Sequence, residues 1–221
     1  MPAVGRLHVL TDFHFQQRWP HAALAAAAAA GGADVVQFRH KTGSTHDQLA
    51  GLLPTVAACC AAGALCLVDD RLDLALAAGA GGVHLGALDL PIAAARRVAD
   101  AVGRPFVIGA TATTAEAARA AQADGADYIG FGPVFATSSK ANPASVKGLG
   151  GLAQACAAVS IPVLAIAGIT PDRVAPCLEA GAWGVAVMTA VSTAPDPEAA
   201  TAAFRDEIDR WVGGSVGSAG R

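Results

Sequence analysis

Short apolar runs alternate with longer Ala-rich stretches along most of the chain. In four places a stretch of small residues ends in Gly-Ala and leads into an apolar run, at Gly32, Gly79, Gly125 and Gly181. One further apolar run lies in each interval between these pairs, and another precedes the first. Such a repeated unit of helix and strand predicts a regular α/β architecture.

The pattern predicts eight strands separated by helices that begin at residues such as Thr114 and Asp196 and end at Gly. The predicted strands are Leu7–Leu10, Val35–Phe38, Ala64–Val68, Gly82–Leu85, Pro105–Gly109, Tyr128–Phe131, Ile161–Ala167 and Gly184–Val187. All eight are similarly apolar, as is typical of parallel strands that are buried on both faces. The sequence therefore predicts a single (β/α)8 TIM barrel over residues 1–212, followed by a disordered Gly/Ser tail over residues 213–221.

An open, doubly wound sheet is the competing architecture. It needs edge strands that are less buried, and a dinucleotide-binding version needs a Gly-x-Gly-x-x-Gly turn after the first strand. Neither feature occurs here. The length of 221 residues also suits one closed barrel.

Composition and local sequence argue against a nucleic-acid partner, a membrane span and a secreted protein. A net charge of −3 and a pI near 6.0 argue against a nucleic-acid binder, which needs a basic surface. The uncharged stretch from Gln48 to Val68 contains Pro54 and Gly63, so we interpret it as a helix and a strand rather than a membrane span. The first residues lack a signal-peptide pattern, and the five cysteines are odd in number without a Cys-x-x-Cys pair. We expect a cytoplasmic protein with buried thiols.

Charged residues cluster where the predicted strands end, which is the face that carries the active site in TIM barrels. Arg39, Lys41 and Lys140 provide positive charge from two parts of the rim, as binding of a diphosphate requires. Asp70 and Asp89 follow adjacent strands and are suited to Mg²⁺, which prefers one or two carboxylates together with substrate phosphate and water.

Simpler interpretations of these residues stay open. Arg39 and Asp70 suit an ordinary ion pair at the rim, and Lys140 suits a solvated loop. His84 on the fourth strand suits a core histidine whose ring nitrogens are hydrogen-bonded. His8 and Asp12 have no chemistry that the sequence assigns.

Several segments, in order from about residue 7 to about residue 193, resemble the thiamine phosphate synthase family. They are Val36-Gln-Phe-Arg-His-Lys41, Val68-Asp-Asp-Arg-Leu-Asp-Leu-Ala75, Gly82-Val-His-Leu-Gly86 with Asp89-Leu-Pro91, Gly125-Ala-Asp-Tyr-Ile-Gly-Phe-Gly-Pro-Val-Phe135 with Thr137 and Lys140, and Ile161-Pro-Val-Leu-Ala-Ile-Ala-Gly-Ile169. The resemblance implies an enzyme that joins hydroxymethylpyrimidine diphosphate to thiazole phosphate and releases diphosphate.

The resemblance also implies roles for individual residues. It assigns Gln37 to the pyrimidine ring, and Arg39, Lys41 and Lys140 to the diphosphate. Asp70 and Asp89 would hold Mg²⁺, and Thr111 would contact the substrate. The thiazole phosphate would be held by Thr137, by Ser139, and by the backbone at Gly168 and after Thr189.

The chain departs from the family pattern at several positions. Asp69 stands where Asn is usual, and a carboxylate cannot donate the hydrogen bond of an amide. Asp69 is therefore either protonated, or part of the metal shell, or a sign of a different substrate. Ala167 replaces the first Gly of a Gly-Gly pair, and the family also differs at Ala87, Ser139 and Thr189.

Two other functions are compatible with this barrel. One is a related thiazole tautomerase, whose catalytic His would fall near Thr113, where this chain has no imidazole. The other is an inert barrel that binds ligands or regulates. In each case the partners are small molecules, and the sequence leaves open whether copies of the chain form a homo-oligomer.

Overall fold

Eight parallel strands close into a barrel in the computed structural model, which describes residues 4–12, 14–137 and 145–218. The strands run β1 to β8 around the barrel, and β8 pairs with β1, with Leu7 opposite Val185. The strands are β1 (Leu7–Leu10), β2 (Val35–Phe38), β3 (Leu65–Asp69), β4 (Gly82–Leu85), β5 (Val107–Ala112), β6 (Tyr128–Phe131), β7 (Val163–Ile166) and β8 (Gly184–Val187). The prediction of a (β/α)8 barrel is confirmed.

Five strands have the predicted bounds, and three differ by one to three residues at an end. The largest difference is at β5, which was predicted from Pro105 to Gly109 and extends from Val107 to Ala112. Pro105 has no N–H to give to a parallel ladder, so the strand begins after it. The strand continues past the apolar run because Thr111 pairs with Gly130 of β6.

Helices follow the strands and cover the outside of the barrel. They are α1 (His21–Ala30), α2 (Thr45–Ala61), α3 (Leu72–Ala77), α4 (Ile92–Val102), α5 (Ala115–Ala123), α6 (Gly148–Ala158), α7 (Val174–Glu179), α8 (Thr189–Ser192) and α9 (Pro197–Ser218). Local sequence sets several of their starts. Ser44 and Asp47 form a capping box at α2, and the Thr114 hydroxyl accepts the Ala117 N–H at α5. None of the helices in the described part of the chain is long and apolar enough to span a membrane.

Helix α9 continues through Gly213 and Gly214 to Ser218, and the expected disorder of the Gly/Ser tail over residues 213–221 stays a prediction. Extending an existing helix adds one backbone hydrogen bond for each residue fixed, so the helix passes the glycines. Cys60 is exposed rather than buried, because it lies on the outer face of α2 while its neighbour Cys59 faces the core.

The interior of the barrel is packed with side chains. Val35, Leu67, Val107, Tyr128 and Leu164 form an apolar cluster inside it, each from a different strand. A larger cluster fills the space between strands and helices. The barrel is therefore a solid core, and a ligand has room to bind at its rim rather than through it.

Tyr128 fits inside the barrel because β5 has no side chain at Gly109. Gly109 pairs with Tyr128 across the β5–β6 ladder, and the phenol ring occupies the space in front of it. A Cβ at residue 109 would lie 2.1 Å from Tyr128 Cζ. Because backbone fixes both positions, the ring has to move if residue 109 gains a side chain.

We predict that Gly109→Ala lowers the free energy of unfolding by about 1–3 kcal/mol, since the added methyl overpacks the barrel interior. Chemical denaturation followed by far-UV circular dichroism measures this change. Gly150→Ala is the control, because a Cβ at Gly150 meets nothing within 4 Å in helix α6. That variant should be equal to the parent or more stable by about 0.5–1 kcal/mol. Equal stability of Gly109→Ala and the parent would contradict the packing argument.

Candidate functional site

A cavity of about 270 Å³ opens at the rim formed by the carboxyl ends of the strands. Its β7 and β8 side is apolar, with Ile166, Ala186 and Val187 in the wall. Five residues predicted to bind substrate also line it: Arg39, Thr111, Thr137, Gly168 and Thr189. The fold therefore brings together polar residues that are far apart in sequence, beside a surface suited to a flat apolar ring.

Arg39 is held between two carboxylates. Its guanidinium forms an ion pair with Asp12, which lies after β1 and is 1% exposed. On the other side, Arg39 Nε lies 3.8 Å from Asp69 Oδ2. The Asp12 carboxylate also accepts the backbone N–H groups of His14 and Phe15. The sequence assigned no role to Asp12, and the structure places it as the anchor of the cavity's arginine.

Lys41, Asp70 and Asp89 lie beside one another at the same rim, yet they are not among the described residues that line the cavity. The Lys41 ammonium forms a hydrogen-bonded ion pair with the Asp70 carboxylate. Burial raises the pKa of Asp89, and the charge of the neighbouring Asp70 acts in the same direction. The two carboxylates are therefore close enough to repel each other, as predicted from their positions after adjacent strands.

Local backbone geometry directs both carboxylates. Asp70 has φ 66°, a left-handed conformation that non-glycine residues seldom adopt, while its N–H donates to the His84 carbonyl. The Asp89 carboxylate accepts the Gly86 N–H at 2.7 Å, which folds the β4–α4 turn back toward the rim. Strained conformations of this kind persist where the surrounding structure fixes them, and they concentrate at functional sites.

Asp69 is a buried carboxyl beside other acids. Burial raises its pKa to about 7, and Asp70 and Asp89 act in the same direction against the positive charges of Lys41 and Arg39. Asp69 Oδ1 is buried and has no hydrogen-bond partner among the described residues. Near neutral pH a fraction of Asp69 is therefore protonated, and in that form it has an O–H to donate, as the usual Asn has an N–H.

Gln37 lies one layer beneath Arg39, inside the barrel, and is 2% exposed. Its Nε2 donates to His8 Nδ1 at 3.0 Å and to the Tyr128 hydroxyl at 3.1 Å. Both N–H groups are thus used within the protein, and the amide oxygen is the part of Gln37 that can serve a ligand. The expected contact with the pyrimidine ring stays a prediction.

His84 joins the cavity to this interior layer. The ring lines the cavity, with Nε2 2.9 Å from Thr111 Oγ1 and Nδ1 2.9 Å from the Tyr128 hydroxyl. The sequence left His84 as a core histidine with a hydrogen-bonded ring, which describes these contacts but misses its position at the cavity. Alternation along β4 was the available signal, because it places His84 on the inner face with Gly82.

Gly168 and Thr189 contribute to the cavity from the ends of β7 and β8. Gly168 has φ 67°, and a Cβ there would lie 2.5 Å from the Ala136 carbonyl oxygen, so glycine is required. Ala167 has φ 78°. This strain falls where the family usually has the first glycine of a pair. Thr189 begins the short helix α8.

Lys140 and Ser139 lie outside the described residues, so their expected contacts with the diphosphate and the thiazole phosphate stay predictions. The described residues contain no group of three or more His, Cys, Asp or Glu side chains that would hold a metal ion. The donors at the rim are carboxylate oxygens, which suit Mg²⁺ with one or two protein ligands and the rest from substrate and water. The residues present therefore fit that ion.

Comparisons with known proteins agree on one family. A family model described as thiamine monophosphate synthase matches residues 7–191. A thiamine-phosphate synthase of Salinibacter ruber is 56% identical over 207 residues, covering 94% of this chain and 90% of the relative. One from Methanoculleus marisnigri is 47% identical, covering 91% and 94%. The structure of a thiamine phosphate pyrophosphorylase from Pyrococcus furiosus superposes with a TM-score of 0.84 at 35% identity, covering 93% and 96% of the two chains.

The raised pKa of Asp69 predicts how the stability of the protein changes with pH. Because its pKa is raised to about 7 in the folded protein from an ordinary value of 3.8, the folded state retains a proton that the unfolded state has lost. The contribution of Asp69 to stability is therefore most favourable below pH 4 and declines as the pH rises to about 7. We expect Asp69→Asn to remove this decline and to raise stability at neutral pH by roughly 2–4 kcal/mol.

Urea denaturation between pH 4 and pH 8, with a chelator present, measures this effect. Asp172→Asn is the control, since Asp172 is exposed and the Thr170 hydroxyl lowers the pKa of its carboxyl. It should keep the decline of the parent protein. An Asp69→Asn variant whose stability follows the pH curve of the parent would show that Asp69 is ionised throughout.

Proposed function

The chain belongs to the thiamine monophosphate synthase family, and we propose that it joins hydroxymethylpyrimidine diphosphate to thiazole phosphate, releasing diphosphate and giving thiamine phosphate. The observation that carries the proposal is the cavity at the rim, where Arg39, Thr111, Thr137, Gly168 and Thr189 meet around an apolar wall. These are positions to which the family resemblance assigns substrate contacts. A cytoplasmic location stays a prediction.

The reaction breaks the bond between the pyrimidine methylene carbon and the diphosphate. Negative charge builds on the departing oxygens while positive charge builds on the pyrimidine, so preorganised cations lower the barrier without a protein nucleophile. Arg39 supports this role, because Asp12 and Asp69 hold its guanidinium at the cavity before any ligand arrives. The guanidinium fork pairs with phosphate oxygens in two parallel hydrogen bonds.

Lys41 and the carboxylates form the adjacent part of the site. Mg²⁺, when bound by Asp70 and Asp89, would neutralise charge on the diphosphate oxygens as the bond breaks. Until then Lys41 pairs with Asp70 and limits the repulsion between the two acids. Lys41 is 44% exposed at its side chain, so it can leave Asp70 and turn toward the diphosphate at little cost in burial. Lys140 completes the proposed cation set.

The same cavity would hold the thiazole phosphate. Gly168, Thr137 and Thr189, to which the resemblance assigns this phosphate, all line it. The apolar residues Ile166, Val187 and Met188 would cover the heterocycles and exclude water from the charge that develops between them. The proposed thiazole phosphate site and Arg39 thus lie in one continuous cavity.

A coupling assay with both substrates, with Mg²⁺ or with a chelator, tests the proposal directly. Formation of thiamine phosphate that stops with the chelator is the expected result. Isomerisation of the thiazole carboxylate phosphate tautomer without coupling would instead support a tautomerase. Binding of both ligands without any product would support an inert barrel.

We predict that Asp89→Asn weakens Mg²⁺-dependent binding of inorganic diphosphate by at least about 10-fold, since one of the two carboxylates at the rim loses its charge. Calorimetric titration of diphosphate, with and without Mg²⁺, measures the change. Asp100→Asn is the control, because Asp100 is exposed on α4 and its carboxylate contacts Arg96 away from the rim. If the parent protein binds diphosphate equally with and without Mg²⁺, the metal assignment fails.

A further inference from the structure

Four side chains form a continuous hydrogen-bonded chain from the barrel interior to the cavity. Gln37 Nε2 contacts the Tyr128 hydroxyl at 3.1 Å, that hydroxyl contacts His84 Nδ1 at 2.9 Å, and His84 Nε2 contacts Thr111 Oγ1 at 2.9 Å. All three distances are those of ordinary hydrogen bonds. We call these residues the buried chain. Its first members are almost fully buried, and its last member lines the cavity.

The hydrogen bonds of the buried chain run in one direction, with each residue donating to the next. The Gln37 amide nitrogen can only donate, so His8 Nδ1 and the Tyr128 oxygen both accept from it. Burial lowers the pKa of His8 to about 3, so its ring is neutral and has an acceptor nitrogen. Because Nδ1 is the acceptor, the ring proton of His8 lies on Nε2, which is buried without a hydrogen-bond partner among the described residues.

The phenol of Tyr128 continues the direction. Its pKa is raised well above the ordinary value, first by burial and then by the charges of Asp69 and Asp127, so the hydroxyl keeps its proton. Tyr128 is 0% exposed, and an unpaired buried O–H is costly. Because the oxygen already accepts from Gln37, the hydroxyl donates its proton to His84 Nδ1, which lies 2.9 Å away. A neutral His84 then has its own proton on Nε2.

The direction ends at Thr111. His84 Nε2–H donates to Thr111 Oγ1, so the hydroxyl of Thr111 accepts from the protein and still has one proton to give. Thr111 lies at the cavity wall. We infer that Tyr128 is a positioning residue that fixes the tautomer of His84 and thereby makes Thr111 a hydrogen-bond donor to the bound substrate.

This inference deepens the proposed function. The identity of the substrate that Thr111 contacts rests on the proposed function, whereas the tautomer of His84 is independent of it. The ligand feature that Thr111 recognises is a hydrogen-bond acceptor, such as a ring nitrogen or a phosphate oxygen. Two glycines on neighbouring strands leave room for the rings of Tyr128 and His84. Gly109 leaves room for the Tyr128 ring, and a Cβ at Gly130 would lie 3.1 Å from His84 Cε1.

Nitrogen-15 NMR of the imidazole rings in the parent protein tests the tautomer without any activity measurement. We expect His84 to carry its proton on Nε2, with Nδ1 unprotonated, and Tyr128→Phe to produce a mixture of tautomers. His84 protonated on Nδ1 in the parent protein would overturn the inference. That result would mean that the hydrogen bonds of the buried chain run in the opposite direction. Tyr128 would then donate to Gln37 Oε1, and Thr111 would donate to His84 Nε2 and could only accept a hydrogen bond from the substrate.

A double-mutant cycle with the coupling assay tests the effect on the substrate. Tyr128→Phe and Thr111→Val should each lower kcat/KM by roughly 10-fold, the effect of one hydrogen bond. The double variant should be no worse than Thr111→Val alone, because Tyr128 acts through Thr111. Effects that multiply would overturn the link between the two residues.

Thr55→Val is the matched control, since Thr55 is buried and its hydroxyl bonds the Gly51 carbonyl within α2. It should lower the melting temperature and leave kcat/KM unchanged. If Tyr128→Phe does not fold, the tautomer of the parent protein still decides the inference. If the parent protein forms no thiamine phosphate but His84 is protonated on Nε2, the proposed function fails and the tautomer assignment stands.

Discussion

Closure of the barrel by the hydrogen bonds between β1 and β8 is the constraint on which the site depends. This ladder aligns His8 with Ala186 and Val9 with Val187, and it completes a ring in which all strands run in the same direction. Every strand therefore ends at one rim. Residues as distant in sequence as Arg39 and Thr189 line one cavity there. Asp70 and Asp89, the two proposed metal ligands, also become neighbours at this rim.

The architecture and the rim residues follow from the sequence because each depends on a one-dimensional signal. Buried parallel strands appear as short apolar runs, and a residue just after such a run has to lie at the rim. Five strand bounds were predicted to the residue on this basis. The start of β5 was not, since apolar character alone does not show where Pro105 stops the ladder.

Contacts inside the barrel could not be predicted in the same way. Asp12, His84 and Tyr128 are polar groups whose roles arise from neighbours on other strands. Asp12 meets Arg39 across β1 and β2, and Tyr128 meets both Gln37 and His84 across the barrel. Which groups meet depends on the stagger between neighbouring strands and on the volume of the residues between them. The sequence of a single strand predicts neither quantity. The part of the candidate site that lies in residues 138–144 is a prediction from the sequence alone.

Ala167 shows how a chain can depart from its family without losing the fold. It adopts a left-handed conformation at φ 78°, next to Gly168 at φ 67°, and its carbonyl accepts the Phe135 N–H at 3.2 Å. The surrounding backbone thus holds the alanine in a shape that glycine adopts freely. The position is therefore a reserve of stability, because a glycine in place of Ala167 would relieve strain and offset a destabilising change elsewhere in the barrel.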